Sequence, residues 1–359
     1  MVKVVCMKLF SDFKCTGSYC RHNCCKAGWD IEIDEKTLRR LEHMGDASLE
    51  AATVRAPDGV YIKPVNGRCS LLNEQGLCSL QLKYGEDYIS DICREHPRYY
   101  QWFGDYKEAG VGLCCEETVR MLLESSEPLG FFQYETDEEP DDLPFDEEVL
   151  AALVEARNGL LRMLEDRSLT IEERLKRLLY HGQRFQDALD DEDVGNIWQE
   201  IGHLDARCEM TQELCTQHDP DVIAAEIYDY FSSLEMLDDK LPQMLRFSLA
   251  KGNIRGTVET FDRLHPDKGY ITEHLAVCFL FRYFLQAVRS FEIMEKIKLT
   301  VLSTVVMRIM IAAECAPVED IIREYSAEIE YSAENLEKLA DDFYSETCFS
   351  YDGLLSLIG

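Results

Sequence analysis

Ten of the chain's fifteen cysteines fall within its first 115 residues, at Cys6, Cys15, Cys20, Cys24, Cys25, Cys69, Cys78, Cys93, Cys114 and Cys115. Cysteines needed only as small core residues would be spread more evenly. Thiolates are soft ligands for zinc and for iron–sulfur clusters, and a closed site normally takes four of them. The first group runs Cys15-x4-Cys20-x3-Cys24-Cys25 and the second Cys69-x8-Cys78, with Cys93 and the Cys114–Cys115 pair following. None of these spacings is a zinc-finger pattern; the density is the signal. Gly17, Gly67 and Gly76 permit the tight loops that let nearby cysteines converge. Adjacent residues rarely ligate one metal together, so either Cys24 or Cys25 serves a second site or none. Residues 1–115 are therefore expected to fold around a cysteine-ligated metal or iron–sulfur centre. Zinc and a cluster suit soft thiolates equally. Cys208, Cys215, Cys278, Cys315 and Cys348 are read as thiols packed like small hydrophobes.

Other chemistry is conspicuous by its absence from the sequence. There is no GxxxxGK[ST] loop and no complete GxGxxG, which argues against the usual nucleotide enzymes. A GxSxG elbow is also missing. The CxxxCxxC triplet of radical chemistry starts at Cys20-x3-Cys24 but fails at Ala27. His22 and His96 sit beside cysteines and read as polar loop residues before ligands. Arg94, His96 and Arg98 crowd around Pro97, placed to hold an anion, to hydrogen-bond sulfur or to brace a turn.

The elements that must position these groups divide the chain in three. Residues 1–130 form a Cys-rich module with little helical periodicity, apart from a short helix after the cap Asp34. Residues 131–148 read as an acidic linker; Glu135–Glu148 alone carries nine acids and two prolines. Residues 149–359 read as an acidic all-α domain, opening with Leu150, Leu153, Leu160 and Leu164 at helical spacing. Thr170 and Glu173 make a capping-box pair, and Asp219–Pro220 starts another helix. Further helices are expected at 239–251, 270–291, 294–314, 317–328 and 333–347. No strand–turn–helix alternation appears, so a parallel sheet is not expected. The fold class is mainly α, a metal or Fe–S module followed by an all-α domain.

Charge follows the same division. Residues 1–115 hold 15 Lys and Arg against 16 Asp and Glu, whereas 116–359 hold 22 against 52. The second part should repel nucleic acid and anionic membranes; its acidity reads first as a solubilising surface and second as a draw for a cationic partner. Leu275–Val288 and Leu299–Ala313 are the most apolar stretches, but they contain Arg282 and Arg308 and fall short of the roughly 20 residues a bilayer span needs. No signal peptide is visible at the start, where Lys8, Asp12 and Lys14 interrupt the apolar residues. A cytoplasmic protein is expected, and in a reducing compartment clustered cysteines point to metal or redox work.

Three strings carry a resemblance: FKCTGSYCRHNCCKAGWDIEID, GRCSLLNEQGLCSLQLKYGEDYISDICREHPR and LCCEETVRMLL. In their order and cysteine content they resemble the flagellin lysine-N-methylase (FliB) family over about the first 125 residues. The later ITEHLAVCFLFRYF resembles that family's helical segment more weakly. Two departures stand out: Glu116 replaces a Pro of the last block, and Cys114 replaces a Ser. The resemblance implies Cys15, Cys20, Cys24, Cys25, Cys69, Cys78, Cys93 and Cys115 as ligands of a 4Fe–4S cluster or of zinc. Eight thiols exceed one four-thiolate site, so some are structural or serve a second centre. It also implies methyl transfer from S-adenosylmethionine to lysines of flagellin or another lysine-bearing protein. Aromatic faces and carboxylates suit both cations of that reaction. Tyr99, Tyr100, Trp102 and Tyr283 are conceivable walls, though each also suits a core; no catalytic or donor-binding residue is assigned. The alternative is a non-enzymatic metal-chelating interaction protein or redox sensor.

Overall fold

Four stretches far apart in the chain pair into one mixed sheet: β1 (Val2–Met7), β2 (Arg98–Phe103), β3 (Tyr106–Val111) and β4 (Phe131–Thr136), in the order β2-β3-β1-β4. The structure, a computed structural model, describes residues 1–57, 59–191, 193–204, 216 and 218–359. β1 runs parallel to β3, with Lys3 opposite Tyr106, and antiparallel to β4, with Val2 opposite Thr136. β2 and β3 form a hairpin whose turn needs Gly104 at φ +61°. This sheet departs from the expectation for residues 1–130. The sequence hides it because VKVVCM is short and YKEAGV carries Lys107, Glu108 and a glycine.

Paired residues share a face. Tyr99 opposite Gly110, Gln101 opposite Glu108 and Phe103 opposite Tyr106 turn toward the helices. Tyr100 and Trp102, with Lys107 and Ala109 opposite them, turn to the other side. There they join Val4 and Cys6, and also Phe132 and Tyr134, which are about 40% exposed.

The expected acidic linker at 131–148 begins instead as β4. Beyond it, the Asp141 N–H bonds the Gly104 carbonyl at 3.1 Å, strapping this stretch to the hairpin turn. Helices follow: α1 (Glu116–Glu124) before the strap, then α2 (Glu147–Leu164), α3 (Ile171–Asp190), α4 (Gly269–Tyr283), α5 (Ile293–Ala312) and α6 (Val318–Tyr325). Asp146 caps α2 through the N–H groups of Glu148 and Val149, and Thr170 with Glu173 makes the full capping box of α3. The other anticipated helices also form, at Glu35–Met44, Pro220–Phe231, Lys240–Leu249 and Ala333–Asp342.

α4 packs on α5 and α5 on α3, with almost every residue of α5 buried. The helical run Pro266–Ser290 is 25 residues long and apolar enough to cross a membrane, contrary to the expectation that Leu275–Val288 falls short of a span. Its most apolar window is 89% buried within the protein, and core packing accounts for its composition. The protein is thus mainly α, with a sheet in its N-terminal region. Sheet and helices share one apolar core, from Met7 and Phe103 to Ile358. Between Phe13 and Pro97 lies an excursion with a separate, small core of Ile33, Leu41, Leu49, Ala52, Ile62, Leu71, Leu80 and Ile89.

Candidate metal centre and the chamber beside it

All eight expected ligands, joined by Cys114, line one cavity of about 170 Å³. Each is a free thiol. Short elements bring them there. Asn23 accepts the Cys25 N–H at 2.9 Å and shapes the single 3-10 turn Cys24–Lys26. The ribbon pairing Pro64–Val65 with Arg68–Cys69 delivers Cys69. Cys78 and Cys115 occupy helix N-cap positions, ahead of Ser79–Tyr84 and α1. Backbone N–H groups of Leu80 and Gln81 reach the Cys78 sulfur, and those of Glu117 and Thr118 reach Cys115. Such donors favour thiolate and tune a bound centre.

Within the cavity the thiols fall into two neighbourhoods. Cys93 feels Cys25, Cys69 and Cys78, and Cys69 feels Cys25 and Cys78. Separately, Cys20 feels Cys15, and Cys115 feels Cys20. Burial pushes Cys93 up to about 11 and raises Cys69 and Cys78. For Cys25, the hydrogen bond with Cys24 and burial both raise it. Buried thiols crowded in this way ionise when a cation neutralises them.

The donor set fits a cofactor. Cys25, Cys69, Cys78 and Cys93, from separate segments, meet the four-thiolate requirement, and an eight-residue apolar core is small for an 80-residue fold without disulfides or metal. Among the described residues, the one trio of His, Cys, Asp or Glu with ligand atoms within 4.8 Å of one another is Asp238, Glu324 and Glu328. Soft thiolates suit zinc and an iron–sulfur cluster alike.

The neighbouring polar residues are mostly engaged. His22 points at Glu116, whose Oε2 accepts its backbone N–H at 2.9 Å and lies 3.1 Å from Nδ1. Glu116 also pairs with Arg21, and so ties the first cysteine block to α1. Burial pushes His96 down to about 4, leaving it neutral, 4.0 Å from the Cys114 sulfur. Arg98 donates to the Phe13 carbonyl, and Arg94 to the Ile89 carbonyl and Asp91. Both arginines brace the chain. Cys6 lies apart, buried in the sheet. Cys278 and Cys348 are buried and Cys315 half-buried; Cys208 and Cys215 lie outside the described residues.

Against the cavity's wall sits a closely packed chamber of side chains, filled by its own arginine, that the sequence anticipates only in part. The Arg282 guanidinium lies 4.7 Å from the ring of Tyr99, 5.4 Å from Tyr283 and 5.1 Å from Tyr331, and donates to Glu330 at 2.9 Å. Tyr283 donates to the same Glu330 oxygen at 3.2 Å, while Oε1 of Glu330 is buried without a partner. Glu330 ends a π-helical turn, Ser326–Glu330, a distortion frequent at functional sites. Tyr331 stacks on Trp29 at 5.5 Å and meets His96 at 5.8 Å; its hydroxyl hydrogen-bonds Cys114. Cys114 thus links cavity to chamber.

Glycine is required here: a Cβ on Gly110 would lie 2.3 Å from the Tyr99 ring, and one on Gly112 1.9 Å from the Tyr331 hydroxyl. Of the four aromatic walls considered, Tyr99 and Tyr283 are in the chamber. Strand alternation puts Tyr100 and Trp102 on the opposite face, 4.5 and 4.2 Å from the Lys107 ammonium. Arg282, Glu330, Tyr331 and Trp29 were missed; the one available signal was an arginine inside the apolar ITEHLAVCFLFRYF run.

Residues 157–357 match the family profile described as the FliB lysine N-methylase C-terminal domain, a span that includes Arg282, Tyr283, Glu330 and Tyr331. The chain is 28% identical over 123 residues, 31% of its length, to the flagellar biosynthetic protein FliU of Salmonella muenchen, covering 71% of that protein. At the same identity and length it matches proteins named lysine-N-methylase from Salmonella typhimurium and Salmonella choleraesuis, covering 30% of each. The matches to those two thus span less than a third of their length. No solved structure matches.

Proposed function

The chain belongs to the FliB lysine N-methylase family, and from that premise we propose that it transfers methyl groups from S-adenosylmethionine to lysine ε-amines of a protein, flagellin being the acceptor. In this reading the sulfonium S–CH₃ bond breaks as N–CH₃ forms, S-adenosylhomocysteine leaves, and the amine's proton must go elsewhere. The observation that carries it is the buried chamber: three tyrosine faces and a carboxylate around the Arg282 guanidinium, all but Tyr99 inside the family-matching region, and touching the cysteine cavity. Aromatic faces stabilise a sulfonium and an ammonium alike. Removing water from the ammonium lowers its pKa, and Glu330, with one buried oxygen free, is the acceptor we assign for the proton. Most of the rate then comes from holding donor and amine in line.

We assign the cofactor to the cysteine cavity, as an iron–sulfur cluster held by Cys25, Cys69, Cys78 and Cys93. Cys15, Cys20, Cys24 and Cys115 are left for structure or a second centre. When bound, such a cluster supplies cross-links among distant segments of the chain. Free thiols in this number suit the reducing interior of a cell.

The test is to incubate anaerobically purified protein with S-adenosylmethionine and flagellin and to read lysine methylation by mass spectrometry. Methylated lysines on flagellin are expected. No added methyl group on any lysine, with cluster-replete protein, refutes the proposal and leaves a metal-chelating or redox-sensing role.

A further inference from the structure

Two adjoining hollows, of about 780 and 820 Å³, run along the hairpin side of the sheet and share Asp141 and Leu143. Neither belongs to the cysteine cavity or the chamber. One wall of the first is β2 itself, whose consecutive residues Tyr100–Phe103 line it. β2 is an edge strand, so its outward backbone groups have no strand beside them. The second hollow opens past the Gly104–Asp105 turn toward Trp198, which is 46% exposed, as Leu143 is 56% exposed.

Charge gives the groove a sign. Six carboxylates line the two hollows against three cations, Lys3, Arg289 and Lys296. Arg289 is already paired with Asp141 and Lys296 with Glu295, while Lys3 lies over the Tyr106 ring. The rings of this wall already hold an amine. The Lys107 ammonium sits 4.2 Å from the Trp102 ring and 4.5 Å from that of Tyr100, and Glu138 accepts from it at 2.8 Å. An open strand edge, aromatic faces and surplus carboxylate together match an extended, lysine-bearing polypeptide.

We infer that this groove docks an extended lysine-bearing segment of the protein substrate, laid along β2 as an added strand. The inference rests on the lysine-methylase reading for its choice of partner. The segment's backbone pairs with the edge of β2, and its lysines meet Glu139, Asp142 and their neighbours. The groove holds the acceptor while one of its lysines reaches the chamber.

The full chain tests this without methyl donor, using a fluorescein-labelled peptide of alternating Lys and Thr. Anisotropy measures its affinity, and hydrogen–deuterium exchange locates it. The double variant Glu139→Lys/Asp142→Lys should weaken binding about tenfold. The control Glu334→Lys/Glu337→Lys, on the exposed side of the helix Ala333–Asp342, which lines neither hollow, should leave it unchanged. Amides of residues 98–103 should exchange more slowly with peptide, and those of β4 should not. Equal weakening by both doubles would mean diffuse attraction to an acidic surface and would overturn the inference. So would protection confined to β4, peptide-independent protection of 98–103 that grows with protein concentration, or no binding. Because this readout involves no methyl transfer, groove binding without catalysis would count against the proposed function alone. Methylation of flagellin without groove binding would count against the groove alone.

Discussion

Arg282 and Glu330 carry opposite charges in a buried site, so removing one strands the other. Glu330→Gln should destabilise the protein by about 3 kcal/mol in urea unfolding, because the guanidinium loses its compensating charge. It should abolish methyl transfer as well, while iron content stays at the level of the unaltered protein. A variant that keeps full activity would remove Glu330 from the proton-accepting role. Gly112→Ala tests the same chamber from the sheet side. Its new methyl group would fall within 1.9 Å of the Tyr331 hydroxyl, and the cost of overpacking should be about 1–3 kcal/mol, with methyl transfer impaired. Unchanged stability in denaturant titration would show that Tyr331 is free to swing aside. At this scale the sequence was half-legible. The cysteines announced themselves by density, but their sorting into two neighbourhoods depends on which loops face each other. Tyr99, Tyr283 and Tyr331 meet across more than two hundred residues, and no spacing rule connects them.

Among the elements, α2 ends in a residue set up to titrate. Glu165 is the C-cap of α2, where the helix's partial negative charge already disfavours an anion. Burial, with Glu273 close by, pushes its carboxyl up to about 7, against the pull of Arg167. The unfolded carboxyl titrates near 4.5, so the folded state holds the proton more tightly. That contribution to stability is fully present below pH 4.5 and lost as pH rises through 7. Glu165→Gln should therefore be about 1 kcal/mol more stable than the parent at pH 8, allowing for solvent screening, and should lose that advantage at pH 4.5. Thermal melts at the two pH values measure it; an equal difference at both would mean Glu165 is not the titrating group.

The helices themselves were readable because leucines at helical spacing and caps such as Asp146 and Thr170 are local signals. The sheet was not. β3 is the most buried strand, yet it carries Lys107 and Glu108, which look like surface residues until Glu138 and Arg157 are placed beside them. β4 was lost inside an acidic run because three of its side chains are aromatic but most of them face solvent.

For the whole molecule, the metal prediction follows from how the cores divide. Anaerobically purified protein should be brown and contain about four irons and four sulfides per chain. Cys69→Ala and Cys78→Ala should each lose the colour, whereas Cys6→Ala, buried in the sheet, should keep it. Stoichiometric zinc in a colourless protein would refute the cluster assignment. Stripping the metal with a chelator should loosen the excursion between Phe13 and Pro97 while the shared core, which extends from the sheet to Ile358, stays folded.

The two ends of that excursion are held together independently of what it contains. β1 and β2 both pair with β3, and Arg98 donates to the Phe13 carbonyl at 3.2 Å. The excursion can therefore open like a bag whose neck stays drawn. Protein whose proposed cluster had been lost to air would elute at nearly its usual volume and show nearly its usual helical circular dichroism, since the long helices lie elsewhere. A brief trypsin digest would tell the difference, cutting at Lys26, Lys36 or Arg55 in spoiled material and sparing them in sound material.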